Sequence, residues 1–438
     1  MLKPQIGPPN IPALVPGVKA LRGPARVAFT GTSIMAGGPD ITSSNVAFNA
    51  DGTSAGVWLG RHAGGLMRAA NGRMRAVCMA AIGGTYISSA NNANAYPWLE
   101  YQLPKVIAAK ATHCFINTGT NEMSAIGAGA AIDAPTLATY KSQITQGCQL
   151  LMAAGCLPIL ETIPPKRDQA GATLTNQTTS VQKFNDMLVD VAEELRIPLA
   201  DMYGACVAAS NAWLTNGSTD NIHPNGSLAY SIYSTIWNQV QYFFPHTTGL
   251  ERAYVNAGNG STIIDNIVNG IISGPTGSNS EPGSWWNNTG SGTLTTTDWS
   301  PTGSAAVGQT FVDKGCNLAF VTSSNTKYMN TALKGSMPAE GTRLLFSAYL
   351  GVPTNGGGNL EVSMVLTDGT NSFKSALVYQ DTTTIGTFTG PVYQELEVVC
   401  PPSLTGGTLY AGITSSSTTA GTTLQIGHVT VRALPALS

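Results

Sequence analysis

The sequence predicts an α/β domain, a three-layer arrangement with a parallel sheet between helices, followed by an all-β sandwich of jelly-roll type. Three observations predict it. The 438 residues are more than one hydrophobic core usually serves, so two domains are expected. From about 25 to 245, short apolar runs alternate with segments of helical period. Beyond that, helix formers give way to Thr, Ser, Gly and Asn with alternating β-branched residues. The expected division is a Pro-rich extension over 1–24, the α/β domain over 25–248 and the sandwich over 249–438.

In the first half, "RVAFTG" (26–31), "RAVCMAAIGG" (75–84), "THCFINTG" (112–119) and "GCLPILETIPP" (155–165) each read as a strand closed by Gly or Pro. Between them lie 54–72, 130–155 and 178–197, with apolar residues at three-and-four spacing. "SLAYSIYSTIWNQVQYFF" (227–244) reads as the closing helix. Strand and helix in alternation imply a parallel sheet with helices on both faces. The second half offers short alternating runs such as "TRLLFSAYLGV", "LEVSMVLTDGT", "QELEVVCPPS" and "TTLQIGHVTVRAL", separated by Gly, Asn-Gly or Pro turns. That grammar belongs to antiparallel sheets.

Only 11% of the residues are charged and the net charge is −2, so no electrostatic footprint for nucleic acid or an anionic membrane is present. A neutral surface rich in hydroxyl and amide groups suits a carbohydrate partner or an extracellular setting. Seven cysteines form no C-x-x-C pair and no zinc or disulfide spacing. Cys78, Cys114 and Cys148 sit among apolar neighbours and read as small core residues. The N-terminus carries repeated Pro without the apolar stretch of a signal peptide, and no segment approaches a membrane span.

Three loops follow predicted strands and therefore share one sheet edge, where open α/β sheets bind ligands. They are "GTSI" (31–34), "GGT" (83–85) and "GTNE" (119–122); a fourth stretch, "STDNIHPNG" (218–226), precedes the closing helix. Together they supply a hydroxyl, glycine amides, a carboxamide and an acid three residues before an imidazole, which is what acyl transfer needs. Among five histidines, His62, His113, His246 and His428 fall in helix, strand, boundary or β-domain contexts. His223 alone combines a nearby acid with a loop at this edge. Each residue also has a plainer reading: Ser33 as an N-cap, Gly84 as a turn glycine, Asn121 as the cap of a helix begun by "EMSAIGAG", Asp220 as a turn cap.

The four blocks, in this order and near this spacing, resemble those of the SGNH (GDSL-like) hydrolase family over about 25–245. The resemblance implies a serine esterase with Ser33 as nucleophile, His223 as general base and Asp220 as the acid that orients it. It implies an oxyanion hole made by the backbone N–H groups of Ser33 and Gly84 and the side-chain amide of Asn121. No metal or organic cofactor is implied. Two positions depart from the family pattern. Thr32 stands where the family has an acid that braces the turn, a task a hydroxyl can share. Glu122 stands where the third block ends in Asp, keeping the charge on a longer arm.

The resemblance leaves acyl group and alcohol open. The β domain, with Trp285, Trp286 and Trp299, resembles carbohydrate-binding modules or the receptor-binding parts of phage tail proteins, although Trp is as common in a sandwich core. The expectation is an O-acetylesterase acting on a polysaccharide, with Trp285 and Trp286 contacting the sugar. It would be extracellular or virion-associated, a homotrimer on a phage tail, with neither nucleic acid nor membrane as partner. A tail adhesin with an inactive α/β scaffold, and a lipase or thioesterase, are the alternatives.

Overall fold

The protein is described from a computed structural model. It covers residues 24–36, 61–92, 96–126, 131–165, 175–208, 223 and 226–246, together with 262–265, 286–287, 294–299, 315–320, 325–332, 341–354, 360–367, 372–379, 388–399, 410–417 and 421–437.

The first half runs β1 (Ala25–Gly31), α1 (Ser33–Ala36), α2 (Arg61–Ala70), β2 (Met74–Met79), a π-helical turn (Trp98–Gln102), α3 (Leu103–Ala108), β3 (His113–Asn117) and α4 (Thr120–Ala125). It continues with α5 (Ala134–Ala153), β4 (Leu157–Glu161), α6 (Thr175–Leu195), β5 (Leu199–Ala200), α7 (Met202–Ala208), α8 (Gly226–Val240) and a 3₁₀ turn (Gln241–Phe243). The second half is β6 (Thr262–Asp265), β7 (Trp286–Asn287), β8 (Leu294–Trp299), β9 (Gly315–Phe320), β10 (Asn325–Ala332) and β11 (Arg343–Thr354). Then follow β12 (Leu360–Thr367), β13 (Ser372–Tyr379), β14 (Phe388–Val399), β15 (Tyr410–Ser417) and β16 (Thr422–Ala433).

Contacts divide the chain into two compact units. One takes Met1–Asn45 with Cys78–Pro245, the other Val46–Val77 with His246–Ser438. The division therefore does not fall at one point in the sequence.

In the first unit β5, β4, β3 and β1 pair in parallel in that order, with Val27 opposite His113 and Gly31 opposite Asn117. This is a mixed α/β architecture with a parallel sheet. Every residue of β3 and β4 is buried, which is why those strands appear in the sequence as largely apolar runs rather than alternating ones. Phe29 stacks on Phe115 at 5.7 Å, and Phe115 on Phe244 at 6.0 Å, with Trp237 of α8 5.0 Å from Phe244. His113 belongs to this core: its Nε2 lies 2.9 Å from the Phe243 carbonyl oxygen, and burial holds its pKa down at about 4. Cys78, Cys114 and Cys148 are buried free thiols, pushed up in pKa by desolvation, and so chemically quiet.

In the second unit the order β14-β11-β16-β9-β8, with β6 on β16, forms one antiparallel set and β13-β12-β15-β10-β7 the other. Taking β9 to β16 alone gives 9-16-11-14 and 10-15-12-13, the strand order of an eight-stranded jelly roll. β2 joins this unit in parallel, Ala76 opposite Leu396. A buried charge cluster accompanies the pairing. Arg75 Nε meets Glu395 Oε2 at 2.7 Å, and Glu397 joins Arg75 at 3.8 Å and Arg343 Nε at 2.6 Å. The Asn71 side chain accepts the Tyr393 N–H at 2.9 Å. These ties are the physical reason that a segment between the first two motif blocks belongs with the C-terminal strands.

Candidate active site

β1 ends in a glycine because nothing else fits. Gly31 has φ +124°, and a Cβ there would lie 1.8 Å from the Asn117 carbonyl oxygen. Thr32 N–H donates to that same carbonyl at 2.9 Å, and the Thr32 carbonyl accepts the Ala36 N–H at 3.0 Å. Thr32 thus closes the first turn of α1, and Ser33 is the first helical residue rather than its cap. The strand-to-helix turn holds the Ser33 side chain, half-buried, at the carboxyl edge of the parallel sheet.

His223 meets it there. Its Nε2 lies 2.6 Å from Ser33 Oγ, the distance of a short hydrogen bond between a nucleophile and its base. The two residues are 190 positions apart in sequence.

The second block lies beside the serine. A Cβ on Gly83 would be 3.6 Å from Ser33 Cβ, and Gly84, with φ +76°, turns the exposed loop at that point. Asn121 Nδ2 donates to the Thr85 carbonyl at 2.7 Å. An amide has two N–H donors, so this bond leaves Asn121 one more for a substrate oxygen. The cap of α4 is Gly119, without any side-chain cap bond, so Asn121 sits inside the first turn and its amide is not spent on capping.

The two departures from the family pattern have different outcomes. Thr32 Oγ1 is buried and has no hydrogen-bond partner among the described residues, so the expectation that this hydroxyl braces the turn is corrected. The brace is Gln102, which sequence reasoning did not single out. Its Oε1 accepts the Gly31 N–H at 2.7 Å, and its Nε2 donates to the Gly31 carbonyl and to Thr85 Oγ1, both at 3.0 Å. Glu122 is buried and its Oε1 accepts the Ile87 N–H, which ties the loop of the second block to α4. Burial pushes its pKa up to about 7, against the hydrogen bond from Ile87 that favours the carboxylate.

Asp220 and Trp285 lie outside the described residues. Trp286 is placed on β7 opposite Met329, and Trp299 ends β8 opposite Gly315. The structure brings together Ser33, His223, the Gly83–Gly84 loop and the Asn121 helix. Among the described residues no group of three His, Cys, Asp or Glu side chains is arranged to hold a metal ion, and no helix is long and apolar enough to cross a membrane.

No curated protein matches the chain. Among solved structures it is similar to an acetylxylan esterase from Geobacillus stearothermophilus, at 16% identity and TM-score 0.36, covering 50% of this chain and 95% of that one. A GDSL-like lipase from Bacteroides thetaiotaomicron aligns at 17% identity and TM-score 0.33, over 50% of this chain and 88% of that one. The enzymatically active domain of tailspike protein 4 of bacteriophage CBA120 aligns at 14% identity and TM-score 0.24, over 34% of this chain and 20% of that one. At these scores the three carry no weight for activity or substrate. The sequence match is more direct: residues 29–227 match the GDSL-like Lipase/Acylhydrolase family, a span that opens in β1 and closes in α8. Over that span, a little under half of the 438 residues, the chain is similar to the GDSL-like Lipase/Acylhydrolase family.

Proposed function

We propose that the protein is a serine esterase that removes O-acetyl groups from a polysaccharide. The observation that carries the esterase reading is the 2.6 Å hydrogen bond between Ser33 Oγ and His223 Nε2. In this reading Ser33 Oγ attacks the ester carbonyl as its proton passes to His223 Nε2. The tetrahedral oxyanion is held by the backbone N–H groups of Ser33 and Gly84 and by the free N–H of Asn121 Nδ2. Each such donor is worth about 3 kcal/mol of barrier. Collapse breaks the ester C–O bond, and the leaving sugar hydroxyl takes the proton back from His223. Water, deprotonated by the same imidazole, then attacks the acetyl-serine, and acetate leaves. Asp220 holds the other ring nitrogen, fixing the tautomer.

The carbohydrate half of the reading is supported by the low charge, the surface composition and the jelly-roll strand order of the C-terminal strands. A tailspike setting, extracellular and trimeric, with Trp285 and Trp286 on the glycan, belongs to the same proposal. The test is a panel of O-acetylated polysaccharides incubated with the protein while free acetate is followed by NMR. Release that is absent with Ser33→Ala supports the proposal. Hydrolysis of p-nitrophenyl acetate with no acetate from any polysaccharide would leave an esterase of another substrate class. No hydrolysis of either would favour the adhesin reading.

A further inference from the structure

We propose that Gln102 is the positioning residue that locks the nucleophile turn to the oxyanion loop, a role that rests on the esterase reading above. Gln102 is fully buried, and its amide is spent entirely on these two elements. Its Oε1 takes the Gly31 N–H at 2.7 Å and its Nε2 gives to the Gly31 carbonyl at 3.0 Å. The side chain thus pairs with Gly31 as a neighbouring strand residue would, two positions before Ser33. The same Nε2 gives its second N–H to Thr85 Oγ1 at 3.0 Å. Thr85 follows Gly84, and its carbonyl is the acceptor for Asn121. One amide therefore connects the turn that carries the nucleophile to the loop and the side chain that would hold the oxyanion. Thr32, in the position of the family's acid, contributes no such tie, because its hydroxyl has no partner among the described residues.

The local backbone is built to deliver this amide. Gln102 N–H reaches back to the Pro97 carbonyl at 3.3 Å, the wide turn of a π-helix, a form concentrated at functional sites. The same turn is fastened to both elements. Trp98 N–H and Leu99 N–H donate to the Tyr86 and Ile87 carbonyls at 2.8 and 2.9 Å, and Trp98 Nε1 donates to Thr30 Oγ1 at 3.1 Å. A strut anchored this way fixes the spacing between Ser33 and the oxyanion donors, and a misplacement of about 1 Å in such a spacing costs on the order of a hundredfold in rate.

The experiment uses the full chain. Gln102→Met keeps the length and removes every polar contact; Gln102→Glu keeps the acceptor for Gly31. Steady-state hydrolysis of p-nitrophenyl acetate and stoichiometric labelling of Ser33 by a fluorophosphonate are measured for both, with a thermal melt. The expected result for Gln102→Met is a fall in kcat of about thirtyfold with KM within about threefold, and labelling slowed in parallel. Gln102→Glu should recover about tenfold of that loss, increasingly as the pH is lowered and the new carboxyl gains a proton to donate. A folded Gln102→Met enzyme with wild-type kcat and labelling rate would overturn the proposal. If that variant is unfolded at the assay temperature, Thr85→Val decides: a drop of about fivefold in kcat supports the tie, and wild-type kcat overturns it. A wild-type protein that neither hydrolyses the ester nor labels at Ser33 would instead refute the esterase reading itself.

Discussion

Replacing Glu122 by Gln should make the protein more stable at alkaline pH and leave it unchanged in acid. Glu122 is 1% exposed, and its Oε1 accepts the Ile87 N–H. A protonated carboxyl and a carboxamide have the same shape and both present that acceptor, so the substitution removes the charge and little else. Burial raises the folded-state pKa to about 7 from a value of 4.5. Below pH 4.5 the group is protonated in folded and unfolded chains alike, and its environment costs nothing. Between 4.5 and about 7 only the unfolded chain releases its proton, so stability is lost steadily as the pH rises, and the loss is complete once the pH passes about 7. The gap of 2.5 pH units (7 − 4.5) corresponds, at about 1.36 kcal/mol each, to a deficit on the order of 3 kcal/mol at pH 8. Urea unfolding of both proteins at pH 5, 6, 7 and 8 measures the difference. His113 moves stability the opposite way, losing it as the pH falls below 6.5 towards about 4, but it is common to both proteins and cancels. An advantage of the Glu122→Gln variant that grows from about 1 kcal/mol at pH 5 to about 3 kcal/mol at pH 8 is expected. A difference that is flat with pH, or that shrinks as the pH rises, would refute the assignment of a buried, reluctant carboxylate.

Asp220→Asn should lower kcat on p-nitrophenyl acetate by orders of magnitude with a far smaller change in KM, because the acid acts as charge develops on His223; an unchanged kcat would mean that another group orients the imidazole. Gly31→Ala should cost about 4 kcal/mol or more, since the added Cβ would lie 1.8 Å from the Asn117 carbonyl oxygen, and a wild-type denaturation midpoint would contradict the turn geometry. Arg75→Met should cost about 3 kcal/mol or more by taking the guanidinium away from the fully buried Glu395 carboxylate, and adding Glu395→Gln should restore most of it, as urea midpoints of the single and double variants would record.

The parts of the fold that were legible share one property: they are buried throughout. β3 and β4 are buried at every position and mostly apolar, with His113, Asn117 and Glu161 the polar exceptions, and the Gly and Pro residues that close them are visible in the sequence. β5 has only two residues and carries no pattern long enough to read. The turn over Trp98–Gln102 was missed because Pro97 and Pro104 break any helical period across it, and a wide π turn has no periodic signature of its own. Of the site, Ser33 and His223 were legible because reactive residue types recur in ordered blocks, and the structure places them in contact. Gln102 was not, because a lone amide becomes meaningful only when the fold sets it opposite Gly31 and Thr85. The grouping of residues 46–77 with the C-terminal strands was equally hidden, since it depends on Arg75 meeting Glu395 some 320 positions away.

The central claim is that Ser33, activated by His223, is a nucleophile. A fluorophosphonate reacts with an activated serine and barely with an ordinary hydroxyl, so it reports the nucleophile without assuming a substrate. Labelled protein, digested and analysed by mass spectrometry, should carry one phosphonyl group on the peptide containing Ser33. The label should vanish in Ser33→Ala and form orders of magnitude more slowly in His223→Ala. A label on another residue, or ester hydrolysis that persists at the wild-type rate in Ser33→Ala, would contradict the account.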